Sequence, residues 1–423
     1  MKQIIKKLSI KQYAIISSII IISVYICGCK VNASKLPITD LSYKKNLHHL
    51  KKFYTVQNFK LGGVYDLQDQ KSYAYGGKNG KTLESLGQKP LRLAYIATGT
   101  PKRDTDGNII NAVVFLSNWL GDATYSYNTW VAGQPGNTYV GKAIVGPGKL
   151  IDTNLNYVIF LDALGLFGTS KPSDGAGIKF PAYHSLDMAQ ANYRLLKDHL
   201  KVKNIKLLTG VSMGANLTYI WAMLHPGYIE TIMPMGGCIR LNPVTYWLFQ
   251  LSKAAMQSDP VYRKTKGDYY HLPKHKHPKQ GIIFGWSILR LTATADSYRI
   301  KQGWKSVQRE IFHWDDKTKG DYLYKHAKGM DINDLIYRYN AFFKLKDLNI
   351  YRYYKRIKAK TIIIHVKNDR WTPYSLAVEA HSLIKNATLL TFKSDLSHLG
   401  SFKGPVKFEN QLKRIFKPLH ICL

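Results

Sequence analysis

Residues 205–217, which read IKLLTGVSMGANL, constrain the fold of this chain more than any other segment. The apolar run at 205–208 predicts a buried strand, and the apolar stretch at 217–224 predicts a helix. Between them Gly210 and Gly214 bracket Ser212 in a Gly-x-Ser-x-Gly pattern, which permits a tight turn that lifts the serine hydroxyl above a sheet. The start of the following helix favours negative charge beside that hydroxyl. The segment predicts a strand–turn–helix unit with Ser212 as candidate nucleophile, and the alternative is a glycine-rich turn with an idle serine.

Short apolar runs of the same kind recur along the 423-residue chain, separated by helical stretches such as 183–200. Continuous apolar runs are typical of buried parallel strands. Hydrophobic residues make up 45% of the chain and charged residues 21%, which excludes global disorder. The pattern predicts the α/β class with a doubly wound, mostly parallel sheet. The predicted strands are 91–98, 112–116, 156–161, 205–208, 229–235, 361–366 and 388–392.

The interval 238–350 interrupts this rhythm, because it is rich in aromatic residues, lysine and histidine and lacks buried-strand runs. We interpret it as a helical cap inserted into the sheet domain. The predicted organisation is a signal peptide at 1–28, an N-terminal tether at 29–60, a first part of the core at 61–237, the cap at 238–350 and a second part of the core at 351–423.

A nucleophilic serine needs a base, and the base needs a carboxylate that orients it. In this architecture both are expected after Ser212, each just past the end of a strand. Asp369 follows the predicted strand 361–366, and His398 follows 388–392. Asp395 is an alternative partner for His398, although a residue three positions away would need a sharp local turn to reach the imidazole. Chain order and strand context together favour Asp369 and His398.

Acyl transfer also requires two donors that stabilise an oxyanion. The backbone N–H of Met213, directly after the candidate nucleophile, is one candidate. The other is expected in the loop after the strand 112–116, and we nominate the backbone N–H of Trp119.

Histidines and cysteines elsewhere in the chain do not predict a metal site or a second nucleophile. His271, His275 and His277 lie among prolines and lysines without a carboxylate or cysteine partner, which indicates an exposed basic loop. Cys238 and Cys422 could form a disulfide in an oxidising compartment. Cys238 is interpreted as a packed thiol. No metal and no cofactor is predicted.

The N-terminal segment predicts export. Residues 1–11 are lysine-rich and contain no acid, an apolar run follows at 13–26, and small residues come next, which is the layout of a signal peptide. We favour cleavage before Cys29, which would become the lipidated first residue of the mature chain. Cleavage after Ala33 and an uncleaved anchor are the alternatives. The predicted location is the cell envelope, as a periplasm-facing lipoprotein with a lipid anchor in the membrane or as a protein released into the periplasm.

The formal net charge of +34 at pH 7 predicts attraction to anionic surfaces. Nucleic acid is not predicted as a partner, because an exported chain rarely meets it and because the sequence has no helix-turn-helix, zinc-finger or RNP pattern. Anionic lipids or glycans of the envelope are favoured over nucleic acid as partners, but a lysine-rich surface without a specific use is favoured over any specific partner.

Further motifs lie outside the Ser212 turn: GPGK at 146–149, IDT at 151–153, SDP at 258–260, GDYY at 267–270 and a glycine at 281. With them the sequence resembles, from about residue 60 to about residue 405, the homoserine O-acetyltransferase-like family of the α/β-hydrolase superfamily. The resemblance implies an α/β-hydrolase fold and a ping-pong acyl transfer, with Ser212 as nucleophile, Asp369 as orienting acid and His398 as general base. It also implies a homodimer.

Two positions depart from the family pattern. In the family, an arginine in the cap binds the carboxylate of homoserine, and an aspartate directly after the catalytic histidine binds its amino group. The corresponding residues here are Trp286 and Leu399. Arg290 lies one helical turn from Trp286 and would replace the arginine if the alignment shifts by one turn. These three residues are the predicted substrate contacts. Trp286 and Leu399 put apolar surface where a zwitterionic acceptor needs charge.

The leading hypothesis is an exported serine esterase or acyl hydrolase, in which water or another alcohol resolves an acyl-enzyme formed from a small ester. Homoserine O-acetyltransferase activity is the alternative, but it uses acetyl-CoA in the cytoplasm, whereas this chain is predicted to be exported. A catalytically silent binding protein of the envelope is a third hypothesis. The combination of Ser212, Asp369 and His398 argues against it.

Overall fold

The computed structural model describes residues 46–67, 73–304, 307, 329–346 and 350–423. Eight of its strands form one sheet in the order β1-β2-β6-β3-β7-β8-β9-β10, and β4 and β5 form a separate parallel pair. The strands are β1 (Lys52–Val56), β2 (Leu91–Thr98), β3 (Ala112–Leu116), β4 (Val145–Gly146), β5 (Ile151–Asp152), β6 (Tyr157–Leu161), β7 (Ile205–Val211), β8 (Ile229–Met235), β9 (Lys360–Val366) and β10 (Ala387–Phe392). Strand β2 is antiparallel to both neighbours, and the pairs from β6 to β10 are parallel. The predicted α/β class with a mostly parallel sheet is confirmed.

Burial explains why the central strands are continuous apolar runs. All residues of β3 are buried, because this strand lies inside the sheet and helices cover both faces. The edge strand β10 is only half-buried, and the other edge strand, β1, exposes Lys52 and Phe53 while Val56 faces the core. The predicted strands of the core all form, with ends shifted by no more than a few residues.

Helices connect these strands and form most of the remaining described structure. Helix α4 packs against β7 and β8, and α3 packs against α4 and continues into a π-helical turn at Leu195–His199. The helices are α1 (Ala123–Trp130), α2 (Asn137–Val140), α3 (Ser185–Arg194), α4 (Met213–Leu224), α5 (Pro243–Gln257), α6 (Pro260–Thr265), α7 (Gln280–Thr292), α8 (Asp296–Gln302), α9 (Ile332–Phe343), α10 (Tyr374–Leu383), α11 (Gly404–Lys407) and α12 (Glu409–Phe416).

Helices α5 to α9 lie between β8 and β9 in the chain, and we call them the cap. Helices α5 and α7 cross closely and run antiparallel, because Gly281 lies against Met256 and Gly285 lies against Ser252. A Cβ atom on Gly285 would approach the Ser252 carbonyl oxygen to 2.7 Å. Asp259 caps α6 with one carboxylate oxygen and accepts a hydrogen bond from the Gly281 N–H with the other (3.0 Å), which ties α6 to α7.

The N-terminal part of the core begins earlier than the sequence predicted. Residues 52–56 belong to the predicted tether, yet they form β1 and pair with β2 along its length. The run Lys-Phe-Tyr-Thr-Val is short and only partly apolar, as expected for an edge strand that buries one end. The predicted signal peptide, the lipidation site Cys29 and the alternative cleavage site Ala33 lie outside the described residues. No helix in the described part of the chain has both the length and the apolar composition to span a bilayer.

Topology decides where a site can form. Since β3, β7, β8, β9 and β10 are parallel, their carboxyl ends meet at one edge of the sheet. The loops that follow these strands carry Trp119, Ser212, Asp369 and His398. This edge is where α/β folds of this type bind ligands.

Candidate active site

Ser212 lies at the sharp turn between β7 and α4. Its backbone has φ 59° and ψ −118°, a conformation that L-residues rarely adopt, and its N–H donates to the Met235 carbonyl oxygen (2.9 Å). The two glycines make the turn sterically feasible. A Cβ atom on Gly210 would meet the Gly214 backbone at 2.6 Å, and one on Gly214 would meet the Leu116 carbonyl oxygen at 2.5 Å. The pattern therefore packs the start of α4 against both β7 and the end of β3.

A hydrogen-bonded chain runs from Ser212 to a buried carboxylate. The Ser212 Oγ lies 2.8 Å from His398 Nε2, and His398 Nδ1 lies 2.8 Å from Asp369 Oδ2. His398 and Asp369 are buried, whereas Ser212 is half-buried. With the imidazole proton on Nδ1, His398 donates to Asp369 and accepts from the Ser212 hydroxyl, which is the arrangement of a base that can deprotonate a serine.

The Asp369 carboxylate is held by donors on every side. Oδ1 accepts from the backbone N–H groups of Trp371 (2.8 Å) and Thr372 (2.9 Å), and Oδ2 accepts from the Thr372 hydroxyl (2.8 Å) as well as from His398. Burial acts to raise the pKa of Asp369, but the adjacent His398 and these hydrogen bonds outweigh it, and the pKa lies below its usual value. The carboxylate therefore remains ionised and can orient the imidazole.

Trp371 connects this loop to the cap. Its indole stacks on the His398 imidazole, with ring centroids 4.7 Å apart, and its Nε1–H donates to Thr292 Oγ1 at the end of α7 (2.9 Å). The stacking restrains the tilt of the imidazole. One face of the predicted base is thereby covered by a residue whose position depends on the cap.

The two nominated oxyanion donors border the same space as Ser212. Met213 is the first residue of α4, and Trp119 lies in the loop after β3. Neither backbone N–H has an acceptor among the described residues. Helix starts leave such N–H groups available for a negatively charged oxygen. Their assignment as oxyanion donors stays a prediction.

A small cavity lies beside the Ser212 hydroxyl. It contains only about 10 Å³ of space for the centre of a water molecule, which is close to the minimum for one water. The cap contributes Thr245, Phe249 and Phe342 to its wall, and the core contributes the other lining residues. The lining residues are Trp119, Ser212, Met213, Asn216, Thr245, Phe249, Phe342, Trp371, Thr372 and His398.

The three predicted substrate contacts do not line this cavity. Trp286 and Arg290 are buried in α7, and Leu399 is buried directly after His398. The Leu399 carbonyl oxygen accepts from the Tyr139 hydroxyl (2.9 Å). Burial raises the pKa of Tyr139 and Tyr125, and the charge of Arg290 opposes part of that rise, so Arg290 lies close to both phenols. A substrate role for Trp286, Arg290 and Leu399 stays a prediction.

The structure also separates the alternatives that the sequence left open. Asp395 is exposed and pairs with Lys301 (2.6 Å) and Ser297 (2.8 Å) of the cap helix α8, whereas His398 pairs with Asp369. Cys238 and Cys422 are both buried free thiols, so no disulfide joins them. Burial raises the pKa of the Cys238 thiol to about 12, which disfavours the nucleophilic thiolate. No group of three metal-ligating side chains occurs within the described ranges.

Sequence reasoning missed several residues that shape the site. Thr372 follows Asp369 by three positions in the same loop. The sequence therefore contained a signal for a hydroxyl group that donates to the carboxylate. Phe249 and Phe342 come from the cap, and nothing in their helical pattern distinguishes a cavity wall from ordinary core. Arg338 is fully buried in α9, whereas a lone arginine in a helix normally predicts an exposed side chain.

No family model matches the chain. It is 26% identical over 319 residues to a probable acyltransferase from Methanothermobacter thermautotrophicus, a match that covers 75% of this chain and 88% of that protein. It is 28% identical over 334 residues to a homoserine O-acetyltransferase from Methanosalsum zhilinae, covering 73% of this chain and 64% of that protein.

Solved structures agree on the fold. An acetylester hydrolase from Corynebacterium glutamicum superposes with a TM-score of 0.69 at 17% identity, covering 89% of this chain and 99% of that chain. The resemblance inferred from the GPGK, SDP and GDYY motifs is confirmed by the named relatives, and the α/β-hydrolase fold is confirmed by the structural match.

Proposed function

We propose that this chain, an enzyme of the α/β-hydrolase superfamily that is related to the homoserine O-acetyltransferases, transfers acyl groups through a covalent intermediate on Ser212. The observation that carries this proposal is the hydrogen-bonded chain from Ser212 Oγ through His398 to Asp369, at 2.8 Å for each bond. It lies beside two backbone N–H groups, those of Met213 and Trp119, that have no acceptor in the described structure.

In the proposed reaction, His398 Nε2 takes the Ser212 proton as Oγ attacks the carbonyl carbon of an ester. The carbonyl π pair moves onto oxygen, and the Met213 and Trp119 N–H groups stabilise that oxyanion. The C–O bond to the leaving alcohol then breaks, and His398 returns the proton to the departing oxygen. An acyl-enzyme on Ser212 remains, and an incoming water or alcohol resolves it by the same steps in reverse order.

The narrow cavity supports a short acyl group. Phe249 and Phe342 of the cap and Trp119 of the core close the space beside Ser212, which is close to the size of a single water molecule. An acetyl group needs little displacement of these rings, whereas each further methylene must move a packed aromatic side chain.

Two kinds of acyl acceptor are candidates for the reaction with the acyl-enzyme: water or an uncharged alcohol, and homoserine. Leu399 and Trp286 offer no charge to a zwitterion, which supports water or an uncharged alcohol, and hence an esterase or acyl hydrolase. The relatives named homoserine O-acetyltransferase support the alternative, acetyl transfer from acetyl-CoA to homoserine, and so does buried Arg290 near the site. The sequence relationship favours the transferase more than it favours the hydrolase.

The deciding experiment measures both reactions with one preparation. We expect the protein without residues 1–28 to hydrolyse p-nitrophenyl acetate faster than longer esters, and Ser212→Ala to lower kcat by about 10⁴-fold or more. Acetyl-CoA with homoserine is assayed in parallel. Ester turnover without homoserine acetylation supports the hydrolase, and efficient acetylation of homoserine supports the transferase.

Ser258→Ala serves as the matched control, because Ser258 is an exposed serine at the end of α5 whose hydroxyl bonds only within its own turn. It should retain wild-type turnover. If Ser212→Ala retains turnover as well, the covalent mechanism on Ser212 is wrong.

We further propose that the chain is exported and anchored through lipid on Cys29. Removal of residues 1–28 takes away four lysines, so the anchored chain carries +34 − 4 = +30, a charge that attracts anionic envelope lipids or glycans. Radiolabelled palmitate should enter the full-length chain, and Cys29→Ser should abolish the labelling while signal peptidase cleavage after Ala33 releases the protein. Recovery of an unlabelled full-length chain from the cytoplasm would contradict this proposal.

A homodimer is proposed from an apolar face of the cap. Since α5 and α7 run antiparallel with Ser252 facing Gly285, the residues that precede these contacts on each helix point to the same outer side. Large apolar side chains occupy that side with 37% to 75% of their area exposed: Val244, Trp247, Leu251, Phe284 and Leu291. Trp247→Glu should convert a dimer to a monomer in analytical ultracentrifugation, and a monomeric wild-type protein would contradict the proposal.

A further inference from the structure

Arg338 is a buried cation that the proposed reaction does not use directly. It lies in the cap helix α9, and none of its side chain is exposed. Such burial of a guanidinium is unfavourable unless its N–H groups find acceptors, and an apolar side chain of similar size is often equally stable at such a position. The question is therefore what its hydrogen bonds hold in place.

Three hydrogen bonds that it donates end on backbone carbonyl oxygens of the sheet domain, and the Tyr183 hydroxyl also lies close to the guanidinium. Nη1 donates to Trp119 (2.8 Å), and Nη2 donates to Ala163 (2.8 Å) and Leu164 (3.0 Å). Trp119 belongs to the loop after β3, and the other two residues belong to the loop after β6. One planar guanidinium thus joins two adjacent loops at the sheet edge to the cap.

The peptide group between Trp119 and Leu120 is held at both of its polar ends. Arg338 binds its carbonyl oxygen, and the Asn118 side chain accepts from the Leu120 N–H (3.1 Å). On the other side, Ser117 is anchored because its hydroxyl accepts from the Ala163 N–H (3.1 Å). The Trp119 N–H therefore lies between two fixed points, in a residue that lines the cavity.

Helix α9 also holds the Trp119 side chain. The ring of Tyr339 lies 4.9 Å from the indole, and that of Phe342 lies 5.9 Å from it, measured between centroids. Residues 338, 339 and 342 thus bind the main chain and the side chain of one core residue. A cap that served only to cover the site would need the apolar contacts but not the buried cation.

We infer that Arg338 is a positioning residue that aligns the Trp119 N–H for the oxyanion, so that the catalytic geometry is complete only when the cap is docked. This inference rests on the proposed function. Arg338 does not line the cavity at Ser212, and it acts through the Trp119 backbone. Because an oxyanion donor acts mainly in the transition state, a misaligned donor lowers kcat while substrate binding changes little.

The test compares Arg338→Met, which keeps the length of the side chain but loses all donors, with Arg338→Lys, which keeps the charge but cannot bind three carbonyl groups in one plane. With p-nitrophenyl acetate we expect kcat to fall about 10²-fold in Arg338→Met, with KM within about 3-fold of wild type, and to fall less in Arg338→Lys. A kcat within about 3-fold of wild type in Arg338→Met would overturn the inference. A fall in kcat/KM of about 10²-fold that comes only from a higher KM would overturn it as well.

Arg240→Met is the matched control, because it removes a guanidinium that forms an ion pair with Glu379 (3.0 Å) near the base of the cap. It should keep wild-type kcat. If Arg338→Met does not fold, the kcat-to-KM split of Arg338→Lys decides the question in the same way.

A crystal structure of the variant provides a readout that does not need activity. In Arg338→Met or Arg338→Lys the peptide between residues 119 and 120 should rotate or shift, and an unchanged loop would overturn the inference. If wild type and Ser212→Ala hydrolyse esters equally, the proposed function fails while this structural test still stands.

Discussion

The sheet edge and the cap both border the cavity at Ser212, but they hold their residues by different means. Ser212 and Asp369 are fixed by buried backbone: one by the strained turn after β7, the other by N–H groups of its own loop. The cap residues Phe249 and Phe342 depend on how helices dock onto that edge. The docking includes side-chain hydrogen bonds between the cap and the core, among them those of Arg338, Asp334 and Trp371. We infer from this comparison that the core carries the catalytic residues, whereas the cap sets the acyl selectivity and completes the catalytic geometry.

The largest effect should come from the core carboxylate. Asp369→Asn keeps the size of the side chain but removes the charge that orients His398 and stabilises its protonated form. We expect kcat for p-nitrophenyl acetate to fall about 10⁴-fold. The measurement is steady-state hydrolysis at a pH where the wild type is fully active.

Asp395→Asn is the matched control, since Asp395 is the other carboxylate close to His398 in sequence. It is exposed and pairs with Lys301 on the surface, where such pairs contribute little. Its kcat should stay within about 2-fold of wild type. A larger loss in Asp395→Asn than in Asp369→Asn would reassign the partner of His398 and weaken the contrast between the two regions.

The core was predictable because its signals are local. Strand β7, the turn at Ser212 and helix α4 are contiguous, and chain order then directed attention to Asp369 and His398 at the ends of later strands. Parallel pairing brings such ends together whatever the connecting segments contain. Strand β1 was missed because one buried end of a short, polar edge strand leaves almost no periodic signal.

The sequence predicted that the cap is helical, but it did not predict how the cap helices pack. Helical periodicity indicates which face of the helices that carry Phe249 and Arg338 is buried. It does not indicate which residues pack against that face. Trp286 and Leu399 were nominated by alignment to the family, and the structure puts them outside the small cavity. Contacts between helices and the sheet edge join residues more than a hundred positions apart, which no local pattern encodes.

A smaller effect should come from the cap wall, and it should alter selectivity rather than chemistry. Phe249→Ala removes a ring that lines the cavity, so longer acyl chains should fit. We expect kcat/KM for p-nitrophenyl hexanoate relative to the acetate to rise about 10-fold, while turnover of the acetate falls only a few-fold. Both esters are measured below the unfolding temperature, because truncation of a buried phenylalanine costs about 3–5 kcal/mol.

Phe343→Ala is the control for this loss of packing. Phe343 is buried in α9 and contacts Tyr246 and Tyr339, but it does not line the cavity. It should lower stability without changing the ratio of the two esters. An equal change of ratio in both variants would mean that loosening of the cap, and not the ring of Phe249, sets the acyl length.

The smallest effect on catalysis, and the most specific to cap docking, should come from Asp334. Its carboxylate accepts from the Ser173 N–H (2.9 Å) and hydroxyl (2.7 Å), which joins α9 to the loop after β6. Burial, with the nearby Asp331, raises the pKa of Asp334 from 3.8 to about 7. Between these two values the folded state keeps a proton that the unfolded state has released. The free energy of unfolding therefore falls as pH rises from about 4 to about 7.

Asp334→Asn should remove that dependence, because the amide oxygen can still accept from Ser173 and carries no charge at any pH. Urea unfolding at pH 5 and pH 8 should show a wild-type protein that loses stability at the higher pH and a variant that loses less. Turnover of p-nitrophenyl acetate at pH 6 should be unchanged, since the core site is not altered. Asp268→Asn, at an exposed aspartate of the cap, should behave like wild type. Equal pH dependence in Asp334→Asn and wild type would mean that Asp334 is not the group that couples docking of the cap to pH.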